Sequence, residues 1–379
     1  MEMTQIAEIV NETTAQVTGT EAVSNVDLND IVDAGAEVLE TDKMDHYVHN
    51  LIDRIGKVVF VNRPYTGGTP SVMMDSWEYG AVLEKIQYEG IPEAEDNDTW
   101  NLEDQRSYDP NIFYKPTVSA KFFSERRTFD IPMSFAQRQV KTAFTSAGQL
   151  QAFFSMIETA ISNGMTVKMD SLVEATLNNF IITTYGDGTA NARVVKLLTE
   201  YHDFTGETAP SASVALADPE FVRFCAFRMK RKAAQMKKLS TVFNEGGKYR
   251  HTPTDRLHII LHADFSAAAD VYLQSDTFHN EFVALPKAES VPFWQGSGTG
   301  FAWADTSKII ATPRGGDSAV TLSNVVGIMF DRDALGVSNL DRRVTSNWNP
   351  KGEFTNNWYK FDAGYFNDFN ENGVIFVLA

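Results

Sequence analysis

Few side chains in this sequence have types and spacings that could do chemistry. His258 and His262 stand four apart, the interval that aligns two imidazoles on a zinc-protease helix. Here Ile259, not a glutamate, follows His258, and the run from Leu257 to Leu261 is strand-like, so no metal site is expected. Asp331-Arg332-Asp333 closes an apolar run, and carboxylates at a strand end can serve acid–base catalysis. Nothing nearby supplies a nucleophile or a pKa-shifting partner, so a charged turn with internal ion pairs is the stronger reading. Glu93, Glu95, Asp96 and Asp98 match a calcium loop in charge but not in order. Thr66-Gly67-Gly68-Thr69-Pro70 lacks the Gly-Lys-Ser/Thr of a phosphate loop. Gly296-Ser297-Gly298-Thr299-Gly300 lacks dinucleotide spacing. The first reads as a turn, the second as a loop. Cys225 is the one cysteine, so no intrachain disulfide can form; set in a helical pattern, it reads as a small core residue. No catalytic, cofactor or metal-ligating residue is expected.

Charge is more informative than chemistry. The net charge is −17, which gives counterion release no means of favouring DNA binding, although a chain that encloses DNA without gripping it would tolerate this balance. More than half of that charge lies in residues 1–45, where eleven acids face the single base Lys43. Against this background the helix expected from Glu220 to Lys238 is a basic island: Arg223, Arg228, Lys230, Arg231, Lys232, Lys237 and Lys238. It is a solvated face, a nucleic-acid contact, or an electrostatic contact with another copy of the chain. The last ranks first and nucleic acid ranks last, because self-complementary charge steers and registers assembly. No basic, apolar leader opens the sequence and no stretch is apolar enough to span a bilayer, so neither secretion nor membrane insertion is expected.

These residues are carried by elements of changing character. In the acidic arm Leu28, Ile31, Val32, Val38 and Leu39 recur at helical spacing, interrupted at Gly35. A second amphipathic turn follows with Val48, Leu51, Ile52 and Ile55, covered by the same chain or by a neighbour. From Lys57 the run Val58-Val59-Phe60-Val61 predicts extended chain. Proline and glycine then punctuate residues 62–132, with strand-like runs from Ser71 to Tyr79 and Asn111 to Phe129 around an acidic middle, Glu89 to Gln105. This predicts a long, exposed two-stranded excursion whose aromatics, Trp77, Tyr79, Tyr88, Trp100, Tyr108, Phe113, Phe122 and Phe123, need a surface to rest on. A proline-free stretch from Ala147 to Tyr185 predicts one long helix on Leu150, Phe153, Phe154, Ile157 and Ile161, ended by Gly186-Asp187-Gly188. A mixed α/β region follows. Asp218-Pro219-Glu220 starts a helix, Leu257 to Leu261 is a strand, Ser266 to Leu273 a short helix, and Ile309-Ile310 and Val325 to Phe330 are strands. Arg343 to Ala379 reads as strands broken at Asn349-Pro350-Lys351-Gly352 and Asn370-Glu371-Asn372-Gly373.

Val325-Val326-Gly327-Ile328-Met329-Phe330-Asp331-Arg332-Asp333-Ala334-Leu335-Gly336-Val337 resembles the strand and Asp-Arg-Asp/Glu-Ala turn of tailed-bacteriophage major capsid proteins. Thr355 to Asp368 resembles the long final strand of the same family. The order of parts is similar over nearly the whole chain. The resemblance implies the Hong Kong 97-like α+β capsid fold, with an N-arm, an extended β-hairpin loop (E-loop), a long spine helix, a peripheral (P) domain sheet and an axial (A) α/β domain. On this chain the N-arm would span 1–56 and the extended loop 57–132. The peripheral domain with the spine helix would span 133–195 and 338–370, and the axial domain 196–337 and 371–379. The implied function is a major head protein, assembled in the host bacterial cytoplasm and forming the virion's icosahedral shell around double-stranded DNA. Its partners would be itself, as hexamers and pentamers, a scaffolding protein, a portal, and a decoration or minor capsid protein. DNA would be enclosed without sequence-specific binding. No catalytic residue, cofactor or membrane contact is implied. The residues expected at inter-subunit contacts are Trp77, Tyr79, Trp100, Phe122, Arg126, Arg127, Arg228, Lys230, Arg231, Arg342 and Arg343. The alternatives are an encapsulin-like nanocompartment shell protein and, from another class, a carboxylate-based hydrolase.

Overall fold

The computed structural model describes residues 3–19, 32, 33, 35, 36, 38, 44–62, 69–74, 82–88, 94, 100–187, 192–274, 288–295 and 302–379. Its frame is one helix, α4 (Ala147–Gly186), of 40 residues, about 60 Å long at 1.5 Å per residue and preceded by the short α3 (Gln137–Ala143). The Ser146 hydroxyl caps its start by accepting from the Gln149 amide, and the absence of proline lets it run unbroken. Its apolar stripe (Leu150, Phe153, Phe154, Ile157, Ile161, Met165, Met169) is buried along the expected face. Toward its end Phe180, Ile181, Ile182, Thr183 and Thr184 are all buried, so the last turns are enclosed on every side.

Two helices from the acidic arm share the core along α4: α1 (Met3–Thr18) and α2 (Met44–Asn62). Tyr47, Val48, Leu51, Ile52 and Ile55 of α2 are fully buried there. Val32 and Val38 are helical and buried; Leu28, Ile31 and Leu39 lie outside the described residues. Gly35 lies against the Phe144 ring so closely that a Cβ would meet it at 2.1 Å, so this glycine permits an approach no other residue allows. One expectation is corrected here. Residues 58–61 are helical, not extended, because α2 continues to Asn62. Helix α1 had no counterpart in the sequence reading.

A four-stranded sheet lies across α4 in the order β1-β11-β12-β4: β1 (Met73–Met74), β4 (Arg126–Ala136), β11 (Leu335–Asn349) and β12 (Phe354–Asn367). Strands β11, β12 and β4 run antiparallel, and β1 joins β11 in parallel at Met73↔Val337. Gly164 of α4 sits over Ile131 of β4, where a Cβ would come within 3.0 Å of its Cδ1.

The excursion is a separate ribbon, β2 (Leu83–Tyr88) antiparallel to β3 (Val118–Phe123), with Leu83 opposite Phe123 and Tyr88 opposite Val118. This corrects the sequence reading. The described part of 71–79 is a single 3-10 turn, Pro70–Val72, and β1, and it belongs to the four-stranded sheet. Asn111 to Thr117 carries no strand. The ribbon's first strand is instead Leu83–Tyr88.

A five-stranded sheet, β5-β13-β10-β6-β7, forms the other half: β5 (Val194–Lys196), β6 (Leu257–His262), β7 (Glu289–Val291), β10 (Val325–Asp331) and β13 (Gly373–Val377). The strand expected at Ile309-Ile310 is β8 (Ile309–Ala311), antiparallel to β9 (Val320–Leu322) in a separate pair. Every residue of β10 and β13 is buried, as central strands covered on both faces must be. Val325, Ile328, Phe330, Ile375 and Val377 face the core around α4. Val326, Met329, Val374 and Phe376 face a second core under α5 (Leu197–Thr205), α6 (Pro219–Met236) and α7 (Ala263–Gln274). The Asp218 carboxylate caps α6 by accepting from the Glu220 and Phe221 amides, with Pro219 in its first turn, as the sequence predicts. Cys225 of α6 is fully buried, and burial pushes its thiol well up. Among the described residues no helix is long and apolar enough to cross a membrane.

Candidate inter-subunit surface

The ribbon has two unlike faces because side chains alternate along a strand. Leu83, Lys85, Gln87, Lys121 and Phe123 point toward the body and are half-buried. Val82, Ile86, Val118 and Phe122 point away, and are exposed by 45%, 68%, 55% and 62%. The inward face is fastened by charge. The Asp368 carboxylate is fully buried and accepts from Lys121 Nζ at 2.8 Å and Lys85 Nζ at 3.4 Å. Lys85 also donates to the Asp333 carbonyl and stands over the Phe366 ring at 4.6 Å. Gln87 donates to Glu371 at 3.2 Å and accepts from Arg250, which itself pairs with Glu371 at 3.1 Å. Burial pushes the Glu371 carboxyl above its usual range despite the neighbouring Arg250 and Lys85 charges. None of these partners was marked by sequence, because Lys85 and Asp368 are 283 residues apart. No local signal marked them either, because Leu83-Glu84-Lys85-Ile86-Gln87 does not alternate apolar and polar residues.

Beyond the ribbon the described tip residues are held by short-range bonds. The Glu103 amide donates to Tyr108 Oη at 3.1 Å, Arg106 lies over the Tyr108 ring at 5.5 Å, and the Asn111 amide donates to Asp109 at 2.9 Å. Trp100 is 96% exposed and Phe113 83%. Of the twenty-one exposed large hydrophobic residues among those described, ten lie between Val82 and Phe122. That concentration exceeds the scattered exposure of an ordinary soluble surface.

The sequence-predicted contact residues fall in several places. Trp77 and Tyr79 lie outside the described residues, as do Glu93, Glu95, Asp96, Asp98, Thr66 to Gly68 and Gly296 to Gly300. Trp100 and Phe122 share the exposed arm. Arg126 and Arg343 meet at the Asp362 carboxylate, at 3.2 and 2.9 Å, and Arg343 also reaches Asp341 at 3.1 Å. Burial alone would raise Asp362, but hydrogen bonds from Arg343 and Thr128, with the Arg343 and Arg126 charges, hold it below the usual carboxylate range. Arg127 lines a cleft of about 440 Å³ between the ribbon root and α4, beside Lys121, Phe123, Arg314 and Phe366. Arg342 is half-buried on β11, and burial lowers its pKa. On α6, Arg228 pairs with Glu200 of its own chain, Lys230 is half-buried and Arg231 is exposed.

The remaining chemical candidates resolve as packing. Asp331 and Asp333 both pair with Arg256, not with the intervening Arg332, and Asp331 accepts from the Thr252 hydroxyl at 2.8 Å. This is a charged turn, but the expectation of internal pairs is corrected: its carboxylates pair with Arg256 from outside the turn. His262 is buried against Trp303, with ring centroids 4.5 Å apart, and accepts from the Asp264 amide at 3.2 Å. His258 stacks on Phe330. Among the described residues no group of three or more His, Cys, Asp or Glu side chains could hold a metal ion.

The chain matches, over residues 6–377, the sequence profile of a family described as Phi29-like phage major capsid protein. The major capsid protein of Bacillus phage GA-1 is 23% identical over 239 residues, 62% of this chain and 44% of that protein, so the match spans under half of the relative's length. Among solved structures, a chain of the Staphylococcus phage Andhra capsid aligns with a TM-score of 0.53 at 10% identity, covering 84% of this chain and 88% of that one. A chain from a structure of the head fiber and inner core protein of native bacteriophage P68 aligns at 0.51 and 10% identity, covering 83% and 86%. At such identities the structural likenesses speak for the fold.

Proposed function

Because this chain belongs to the Phi29-like phage major capsid protein family, we propose that it tiles as hexamers and pentamers into an icosahedral shell enclosing double-stranded DNA, assembled in the bacterial cytoplasm. The N-arm expected over 1–56 carries on to Asn62 in α2, and within the expected 57–132 the ribbon and its tip act as the extended loop, since β1 and the start of β4 belong to the body; 133–195 with 338–370 act as the peripheral domain, and 196–337 with 371–379 as the axial domain. A scaffolding protein, a portal, and a decoration or minor capsid protein are the expected partners. The role is structural, and the acidic balance suits a wall that surrounds DNA without binding its sequence.

The observation that carries this reading is the bare apolar side of the ribbon and its tip. Val82, Ile86, Val118, Phe122, Phe113 and Trp100 remain exposed while the ribbon's other side is already fastened to the body. A two-stranded ribbon has little stability of its own in water, so a neighbouring copy covering that side would complete it. Single contacts of this kind can be weak, because a closed shell multiplies them.

The test removes residues 89–117 and joins Tyr88 to Val118, which already face each other, through a short Asn-Gly turn. The expected result is a folded chain, with an unchanged thermal transition for the body, that forms no shells when co-expressed with its assembly partners. Normal shells in negative-stain micrographs would refute the proposal.

A further inference from the structure

We propose that copies of this chain also join head to tail through two complementary faces over opposite edges of the five-stranded sheet. An aromatic and basic face at the β5 edge would dock on an acidic face at the β7 edge of the next copy. The proposal rests on the shell reading and assigns the surfaces of one lateral contact within it.

The sheet order β5-β13-β10-β6-β7 places β5 and β7 at its two ends. Helix α5 starts directly after β5 and packs beside α6; helix α7 starts directly after β6 and packs against β7. At the β5 edge, Phe204 of α5 and Phe227 of α6 are 63% and 44% exposed, with ring centroids 5.6 Å apart. Both lean on Phe224, at 5.7 and 6.3 Å, which is itself buried against Tyr201. The core beneath is therefore complete, and the two outer rings extend it into solvent. On α6 the residues at −4, +3 and +4 from Phe227 are Arg223, Lys230 and Arg231, so one helical flank is basic. Lys238 continues that flank. On the other flank, Asp203 and Glu207 border Phe204, while Glu200 is paired with Arg228.

At the β7 edge the polarity reverses. Helix α7, Ala263–Gln274, contains no Lys or Arg. It exposes Asp264, Ala267, Asp270 and Val271, the last by 61%. Asp305 is exposed on α8 (Trp303–Thr306), whose Trp303 meets His262 at the root of α7. The face is acidic, with an apolar Val271 and a small Ala267 that lets another helix approach. A second copy offers acids toward Arg231 and Lys238 and an apolar side chain for the phenylalanines. Because donor and acceptor faces occupy opposite edges, the contact is heterologous and repeats around a ring instead of closing on a twofold axis.

The test is charge exchange in the full chain, assembled with its partners. One variant carries Arg231→Glu and Lys238→Glu, a second carries Asp264→Lys and Asp270→Lys, and a third carries all four changes. All are surface substitutions, and each variant's thermal transition is measured first. The expected result is that each single-face variant keeps the wild-type transition but loses particle yield by about tenfold or more, as like charges meet. The third variant regains most of that yield. Single-face variants that assemble like wild type, or a fourfold variant that does not recover, overturn the assignment while leaving the shell reading intact. If the basic variant lowers only the affinity for a DNA duplex in a gel shift, the α6 flank is a nucleic-acid contact and the assignment falls. A wild-type chain that never assembles overturns both readings.

Discussion

Asp368 is the point at which the ribbon's attachment can be tested most sharply. Its carboxylate is fully buried, accepts from Lys121 and Lys85, and also accepts from the Asn370 amide at 3.2 Å. Asp368→Ala leaves both ammonium groups facing a cavity, with Glu371 the remaining acid near Lys85. Removing one member of a wholly buried pair costs about 3–5 kcal/mol. The Lys121 side chain is 34% exposed and that of Lys85 15%, so both can turn partly toward water, which brings the expected loss to about 2–3 kcal/mol. That loss should fall on the ribbon, because two strands alone are marginal and the two β-sheets have their own cores. Hydrogen exchange at residues 83–88 and 118–123 should therefore speed up by about 30- to 150-fold, at about 1.4 kcal/mol per tenfold. Amides of β11 and β12 should keep wild-type protection. Asp368→Asn, which retains an acceptor for Asn370, should give a smaller effect. Equal loss of protection everywhere, or an unchanged ribbon, would refute the claim that this carboxylate holds the ribbon to the body.

Two further outcomes follow from the cores and the charges. In Gly327→Ala the new Cβ would lie 2.6 Å from Leu261 Cδ2 and 2.8 Å from the Ile260 carbonyl oxygen; since a backbone cannot swing aside, the denaturation midpoint should fall by the equivalent of about 2–3 kcal/mol. The Asp362 carboxyl has a lowered pKa in the folded chain, so its contribution is present above the ordinary value of 3.8 and is lost as pH falls through the folded value. Urea midpoints of Asp362→Asn should accordingly drop less than those of wild type between pH 5 and pH 3 (about one unit either side of an ordinary carboxylate), and an equal drop would show that Asp362 does not carry the effect.

Much of the fold was legible because local and tertiary demands agree. The long helix declared itself through Leu150, Phe153, Phe154, Ile157 and Ile161 and through the lack of proline. The central strands β10 and β13 did so through uninterrupted apolar runs, and α6 through Asp218-Pro219. Where local preference and tertiary packing conflict, the reading failed. Val58 to Val61 has strong strand preference, yet it continues a helix whose preceding turns bury Leu51, Ile52 and Ile55 in the main core. Helix α1 was missed because its buried stripe includes Thr13 and Thr14, polar by composition; the Thr13 hydroxyl is satisfied internally by donating to the Ile9 carbonyl at 2.6 Å. The aromatic arm was visible as residue types, but its register was not, because Leu83-Glu84-Lys85-Ile86-Gln87 acquires meaning only once Asp368 and Glu371 are known to lie beneath it.

That register decides what the arm is free to do. Had the ribbon been attached through Val82, Ile86, Val118 and Phe122, its apolar side would be buried in its own chain, and Lys85 and Lys121 would face water. Instead lysines and a glutamine hold it to Asp368 and Glu371, and the apolar side is left uncovered. A slip of one residue along β2 and β3 would exchange the two faces completely, because successive side chains alternate. The buried carboxylate at Asp368 opposes that slip: it would place Glu84 and Phe122 where Lys85 and Lys121 now stand, leaving Asp368 without a cation and beside another acid. The ion pairs thus act less as a source of net stability than as a selector of which face points outward, and the exposed apolar surface of the arm is a consequence of that selection.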